Sequence, residues 1–132
     1  MREAVLSLVD REFEMSLVGK IESTNHLYAS RGKIRYMTKK WKEQKARFAE
    51  MAELEMRGKP PIDEPVVLFL QLNFGDKRVR DIDNYSKIIL DAMSGVVYTD
   101  DKLIHAKFSF KTWGNPETSV EVRVGKIRNF KK

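Results

Sequence analysis

The chain has 132 residues, with 25 Lys plus Arg against 19 Asp plus Glu, two His and no cysteine, for a formal net charge of +6. That length corresponds to one domain, and 42% hydrophobic with 33% charged residues excludes wholesale disorder. Without cysteine there is no disulfide scaffold, thiolate zinc site or thiol nucleophile, so any metal must sit on oxygen ligands or histidine.

A single domain is expected over residues 1–132, with 1–10 and 127–132 as flexible or dimer-associated ends. The apolar run in Met1–Asp10 breaks too early for a signal peptide and is too short to span a bilayer, which points to a cytoplasmic protein with no membrane partner. Phe13, Met15 and Leu17 alternate with polar neighbours, the period of a half-buried strand. Residues 21–32 are polar and read as a loop. Lys33–Met37 reads as a second strand, and Thr38 as the N-cap of a helix reaching about Arg57, with Trp41, Phe48, Met51, Ala52 and Met56 on one side.

Gly58, Pro60 and Pro61 stop that helix, and Val66–Leu70 is an apolar run of the kind found in a central strand, continued by Leu72 and Phe74. A second helix is predicted from Asp81–Asn84, since Tyr85, Ile88, Ile89, Ala92 and Met93 recur at helical spacing and Gly95 closes the pattern. Ile104–Phe110 and Val120–Val124 both alternate, and Gly114-Asn115-Pro116 between them reads as the turn of a hairpin. The expected fold is α+β, a mixed sheet with two main helices packed on it.

Positive charge is clustered. From Tyr28 to Phe48 there are eight basic residues and one acid, Glu43. Arg31, Lys33, Arg35, Lys39 and Lys40 in that stretch, with Lys77, Arg78 and Arg80 further on, are candidate contacts to a polyanion; the plainer reading is a solvated face. Immediately after the second cluster come five aspartates within twenty-one residues, Asp81, Asp83, Asp91, Asp100 and Asp101. Asp81 and Asp83 fall at a helix start, where caps are common and exposed amides favour negative charge. Asp100 and Asp101 are adjacent, so they should repel and raise each other's pKa unless a cation offsets them, although Asp is also common in turns.

If the strand near Leu103 lies beside the start of the second helix, Asp81, Asp83, Asp100 and Asp101 converge into an oxygen-rich site for Mg²⁺, with Mn²⁺ as a substitute. Asp91 lies roughly 12 Å along the axis from Asp83, too far to share the same ion. Lys87 sits one turn after Asp83, where it can hold a phosphate or form an ordinary helix ion pair. Such a set supports metal-assisted phosphodiester hydrolysis.

Read in order, Arg80-Asp81-Ile82-Asp83-Asn84, Lys87, Leu90-Asp91-Ala92-Met93 and Asp100-Asp101 resemble the RusA family of Holliday junction resolvases. Ser23-Thr24-Asn25 with Tyr28 is similar to the family's Asn-containing loop, which adds Asn25 to the DNA contacts. The resemblance implies a homodimeric, Mg²⁺-dependent endonuclease acting on four-way branched DNA by paired nicks, encoded by a bacterium or phage. It further implies Asp81, Asp83 and Asp101 as the metal-binding acids, with Asp100 beside them, and Lys87 as the catalytic lysine. Upstream, Val18-Gly19-Lys20-Ile21 replaces the family's proline-rich approach to the loop. The rival reading is a noncatalytic nucleic-acid-binding module whose aspartates are caps and ion pairs. A small-molecule phosphotransferase would place Asp-x-Asp directly at a strand end, whereas Gly75–Arg80 intervenes here.

Overall fold

The computed structural model describes Glu3 and residues 12–21, 23, 27–78 and 80–126. The expectations for residues 1–10 (Glu3 apart) and 127–132, and the contact assigned to Asn25, lie outside that range. Strand β1 (Phe13–Val18) is followed by β2 (Tyr28–Arg31), β3 (Ile34–Met37), helix α1 (Lys39–Met56), β4 (Val66–Asn73), helix α2 (Asp83–Met93), a 3-10 turn (Asp101–Leu103), β5 (Ile104–Thr112) and β6 (Ser119–Lys126). Four strands form a mixed sheet in the order β1-β6-β4-β5, and β2 pairs with β3 separately. This is the expected α+β architecture.

Strand β4 is interior to the sheet, and over Val66–Leu70 its sequence is apolar on both faces, before Gln71 and Asn73 turn the end of one face polar. Val66, Leu68, Leu70 and Leu72 join Trp41, Phe48, Ile88, Ile89 and Met93 in the core under the helices. Val67 and Phe69 are buried on the reverse face, where the Phe69 and Phe110 rings stand 5.4 Å apart. A run buried on both faces suits an interior strand, and β4 pairs antiparallel with β6 and parallel with β5.

That pairing overturns the hairpin expected at the C-terminal end. Ile104–Thr112 and Ser119–Lys126 both alternate, yet β4 lies between them. Strand β5 stands at the edge of the sheet with His105 and Lys107 exposed, while the turn around Gly114 carries the chain across the end of β4. The loop expected over 21–32 is also partly strand. Tyr28–Arg31 pairs with Ile34–Met37 through a two-residue turn, with Gly32 at φ 65°. Gly at the first turn position supplies the positive φ of a type II′ hairpin, so weakly apolar flanks suffice to form it.

Helix α1 starts as predicted, with the Thr38 hydroxyl oxygen accepting from the Trp41 amide at 3.3 Å. It ends at Arg57 in the left-handed region, followed by Gly58. Trp41, fully buried, locks the first turn of α1 into the core. Because the Thr38 cap satisfies one of the orphan amides beside that anchor, Thr38→Ala is expected to cost about 1 kcal/mol of stability, measured by denaturant unfolding.

Candidate active site

The loop from β4 to α2 is fixed by an ion pair four residues wide. Arg80 donates in a fork to Asp76, Nη1 to Oδ1 at 2.5 Å and Nη2 to Oδ2 at 2.8 Å. Its guanidinium lies 4.4 Å over the Phe74 ring, which Tyr85 meets edge-on at 5.2 Å. The Asp76 carboxylate also accepts from the Arg78 amide at 3.0 Å, and the Lys111 ammonium donates to the Arg80 carbonyl. These bonds hold the Asp76 carboxyl far below the usual carboxylate range, with the Arg80 hydrogen bond the largest cause. The same contact pushes the Arg80 pKa up. Arg80 is therefore matched by a carboxylate and largely buried, unlike the exposed Lys77 and Arg78 with which the sequence groups it.

This brace delivers Asp81 and Asp83 to the start of α2. The Asp81 carboxylate accepts from the Asp83 amide at 3.0 Å, and Ile82, at the cap position, makes no side-chain cap bond. Both aspartates are exposed, at the end of the helix where unpaired amides favour negative charge. One turn on, the Lys87 ammonium lies 3.2 Å from Asp91, not from Asp83.

Asp100 and Asp101 are elsewhere. Asp100 caps the 3-10 turn, accepting from the Lys102 amide at 2.9 Å. That bond is the main cause holding the Asp100 carboxyl below its ordinary value, where adjacency to another aspartate was expected to raise it. Nearby, Tyr98 is fully buried and donates its hydroxyl to the Leu90 carbonyl at 2.9 Å. Burial, then the negative charges of Asp101 and Asp91, raise its pKa, so it stays a donor. Asp101 thus shares surroundings with Asp91.

The distance between the two acidic groups follows from the topology. Strand β5 begins beside Val66, at the opposite end of β4 from the loop that carries Asp81. The eleven residues of α2 span the gap, roughly 15 Å. The strand near Leu103 therefore does not lie beside the start of α2, and the structure brings together Asp81 with Asp83 and Asp91 with Asp101. Among the described residues no group of three or more His, Asp or Glu is placed to hold a metal. Asp81 and Asp83 nevertheless fit Mg²⁺, a hard cation that takes one or two carboxylates and completes its octahedron with water and phosphate oxygens.

The candidate DNA contacts lie in three parts of the chain. Arg31, Lys33 and Arg35 are exposed on the β2–β3 ribbon, where the Arg35 guanidinium lies 4.0 Å over the Tyr28 ring. Lys39 and Lys40 are exposed in the first turn of α1, with Lys39 3.7 Å from Glu43. Lys77 and Arg78 border the brace. Sequence reasoning missed Asp76 and Lys111, whose roles arise only where loops meet; the i, i+4 spacing of Asp76 and Arg80 was the available signal.

Because the folded-state pKa of Asp76 lies below its unfolded value near 3.9, its contribution is whole above about pH 4 and is lost as the pH falls through the depressed value. Asp76→Asn is therefore expected to lower the melting temperature at neutral pH and to flatten its fall below about pH 4, measured by thermal unfolding across an acid series.

The family model described as Endodeoxyribonuclease RusA matches residues 19–124, which include both acidic groups, the brace and the ribbon. No curated protein matches the chain. No helix among the described residues is long and apolar enough to cross a membrane. The match spans most of the chain, which belongs to the RusA family of endodeoxyribonucleases, enzymes that cut DNA at Holliday junctions.

Proposed function

We propose that the protein resolves four-way DNA junctions as a Mg²⁺-dependent homodimer making paired symmetric nicks, with Mn²⁺ able to substitute. The observation that carries this reading is the exposed Asp81–Asp83 pair, held by a braced loop whose neighbours Lys77 and Arg78 are exposed cations. Asp81 and Asp83 hold the metal. The chemistry such an ion would supply there is an activated water and charge stabilisation at the leaving oxygen. Asp101 and Asp100, assigned to the same centre by resemblance, lie about one helix length away in a single copy, and Asp101→Asn below tests whether Asp101 acts there all the same.

Lys87 takes the role of phosphate clamp. Its bond to Asp91 joins two partly exposed groups, and helix pairs of that kind contribute only about 0.2 to 0.5 kcal/mol, so a phosphate can displace the carboxylate cheaply. The surrounding cations position the duplex. Lys39, Lys40 and Lys42 stand in the first turn of α1, where the helix dipole disfavours positive charge by a few tenths of a kcal/mol each; that turn contains no acid, and Glu43 just beyond it pairs with Lys39. A sequence that places charge against its own helix gains instead from an external polyanion. Binding should weaken steeply with salt, by nearly one unit of log-log slope for each phosphate neutralised. A C2 dimer supplies two such sites with one geometry, which paired cuts require.

A noncatalytic DNA-binding module is favoured by one set of bonds: Asp81 and Asp100 both accept backbone amides, and Lys87 pairs with Asp91. The two readings separate on a synthetic immobile four-way junction assayed beside linear duplex, in Mg²⁺ or EDTA. Resolution predicts symmetric nicks on the junction alone that vanish in EDTA. Asp83→Asn and Asp101→Asn are expected to abolish cleavage while junction affinity changes by less than about tenfold. Junction binding by the wild type that persists in EDTA, with no cleavage in Mg²⁺, would establish the binding module. Lys87→Ala is expected to reduce turnover with the melting temperature nearly unchanged, whereas a collapsed melting temperature would make the lysine structural.

A further inference from the structure

Beside the Asp81 loop lies a cleft of about 350 Å³ lined by Phe74, Lys77, Arg78, Arg80, Lys111 and Trp113. Its walls are two loops laced by backbone bonds: Phe74 N–H to Thr112 O at 2.9 Å, Gly114 N–H to Asp76 O at 3.2 Å, and Asn115 N–H to Phe74 O at 3.1 Å. The Asn115 side chain adds a second bond to the Phe74 carbonyl, at 2.9 Å. Phe74 is buried and lies beneath the Arg80 guanidinium, while Trp113 is 60% exposed. A tryptophan left that open on a rigid loop has a large flat face and no described partner to cover it.

The charges around this aromatic face are of one sign. Lys77 and Arg78 are exposed, the partly buried Lys111 also lines the cleft, no acid does, and Asp76 in the neighbouring loop is paired with Arg80. An apolar stacking surface edged by cations fits a group that is itself flat and apolar with an anion attached. We infer that this cleft takes an unpaired nucleotide of the DNA substrate, its base stacked on Trp113 and its phosphate between Lys77 and Arg78. Duplex DNA keeps its bases stacked on one another, so only a strand that is single or opened at a branch point can offer a base to the cleft. Arg80 both lines the cleft and immediately precedes Asp81, which puts the captured nucleotide next to the carboxylates that act on the backbone. The inference rests on the resolvase reading for its DNA substrate, and it adds how the branch rather than the duplex is recognised.

The test is a titration of the full-length wild type, Trp113→Leu and Trp113→Phe with a short oligothymidylate and with linear duplex, followed by tryptophan emission and by anisotropy of labelled DNA. Trp41 is fully buried, so it gives a constant background against which Trp113 is read. Oligothymidylate is expected to quench wild-type emission to saturation. Trp113→Leu should bind it about tenfold or more weakly, with duplex affinity changed less than about twofold, and Trp113→Phe should recover most of the loss. Thermal unfolding shows whether each variant is folded, and the conservative Phe variant keeps the test valid if Leu is not. Junction cleavage by the wild type in Mg²⁺ is run alongside. A wild type that cuts junctions but shows neither quenching nor a Trp113→Leu affinity loss overturns the cleft alone. A wild type that leaves junctions uncut yet is quenched overturns the resolvase reading and keeps the cleft as a single-strand site.

Discussion

The parallel pairing of β4 with β5 is the constraint on which the rest of the molecule depends. A strand whose first five residues are buried on both faces belongs in the interior, and a parallel neighbour cannot be reached by a tight turn; the chain must travel back along the sheet first. Helix α2 is that return path. Its start therefore stands at one end of β4 and its finish at the other, and every acidic residue in this part of the chain is placed by that fact. Asp81 and Asp83 share the loop after Asn73, while Asp91, Asp100 and Asp101 gather near Tyr98 at the end where β5 begins.

Local electrostatics then separate cations that the sequence presents as one cluster. Among Lys77, Arg78 and Arg80, the last is turned inward by the fork to Asp76 and by the Phe74 ring, and the first two are left outside. The brace makes the loop stiff without consuming the surface charge around it. Stiffness matters here because carboxylates that hold a metal against a phosphate need fixed geometry, and a nine-residue connection would not provide it unaided. The same lacing of Phe74 to Thr112 and Asn115 props Trp113 in the open.

The sequence by itself determined the elements whose signal is periodic or punctuated. The Thr38 cap, the α1 face of Trp41, Phe48, Ala52 and Met56, the apolar run at Val66 and the start of α2 at Asp83 are all legible because each depends on neighbours within a turn or two. The acid and lysine motif was legible as well, and so was the family, because ordered spacing in one short segment does not require a fold. Tertiary structure alone decided strand order, since alternation in β5 and β6 states only that each has two unlike faces and is silent about which strand lies between them. It also decided that Asp101 keeps company with Asp91, that Lys87 pairs forward along its helix, and that Arg80 faces in while Trp113 faces out. The strand order and the company of Asp101 depend on residues far apart in the chain, which no local pattern encodes; the Lys87–Asp91 and Asp76–Arg80 pairs are four residues apart, and the fold only selected them among the local partners the spacing allows.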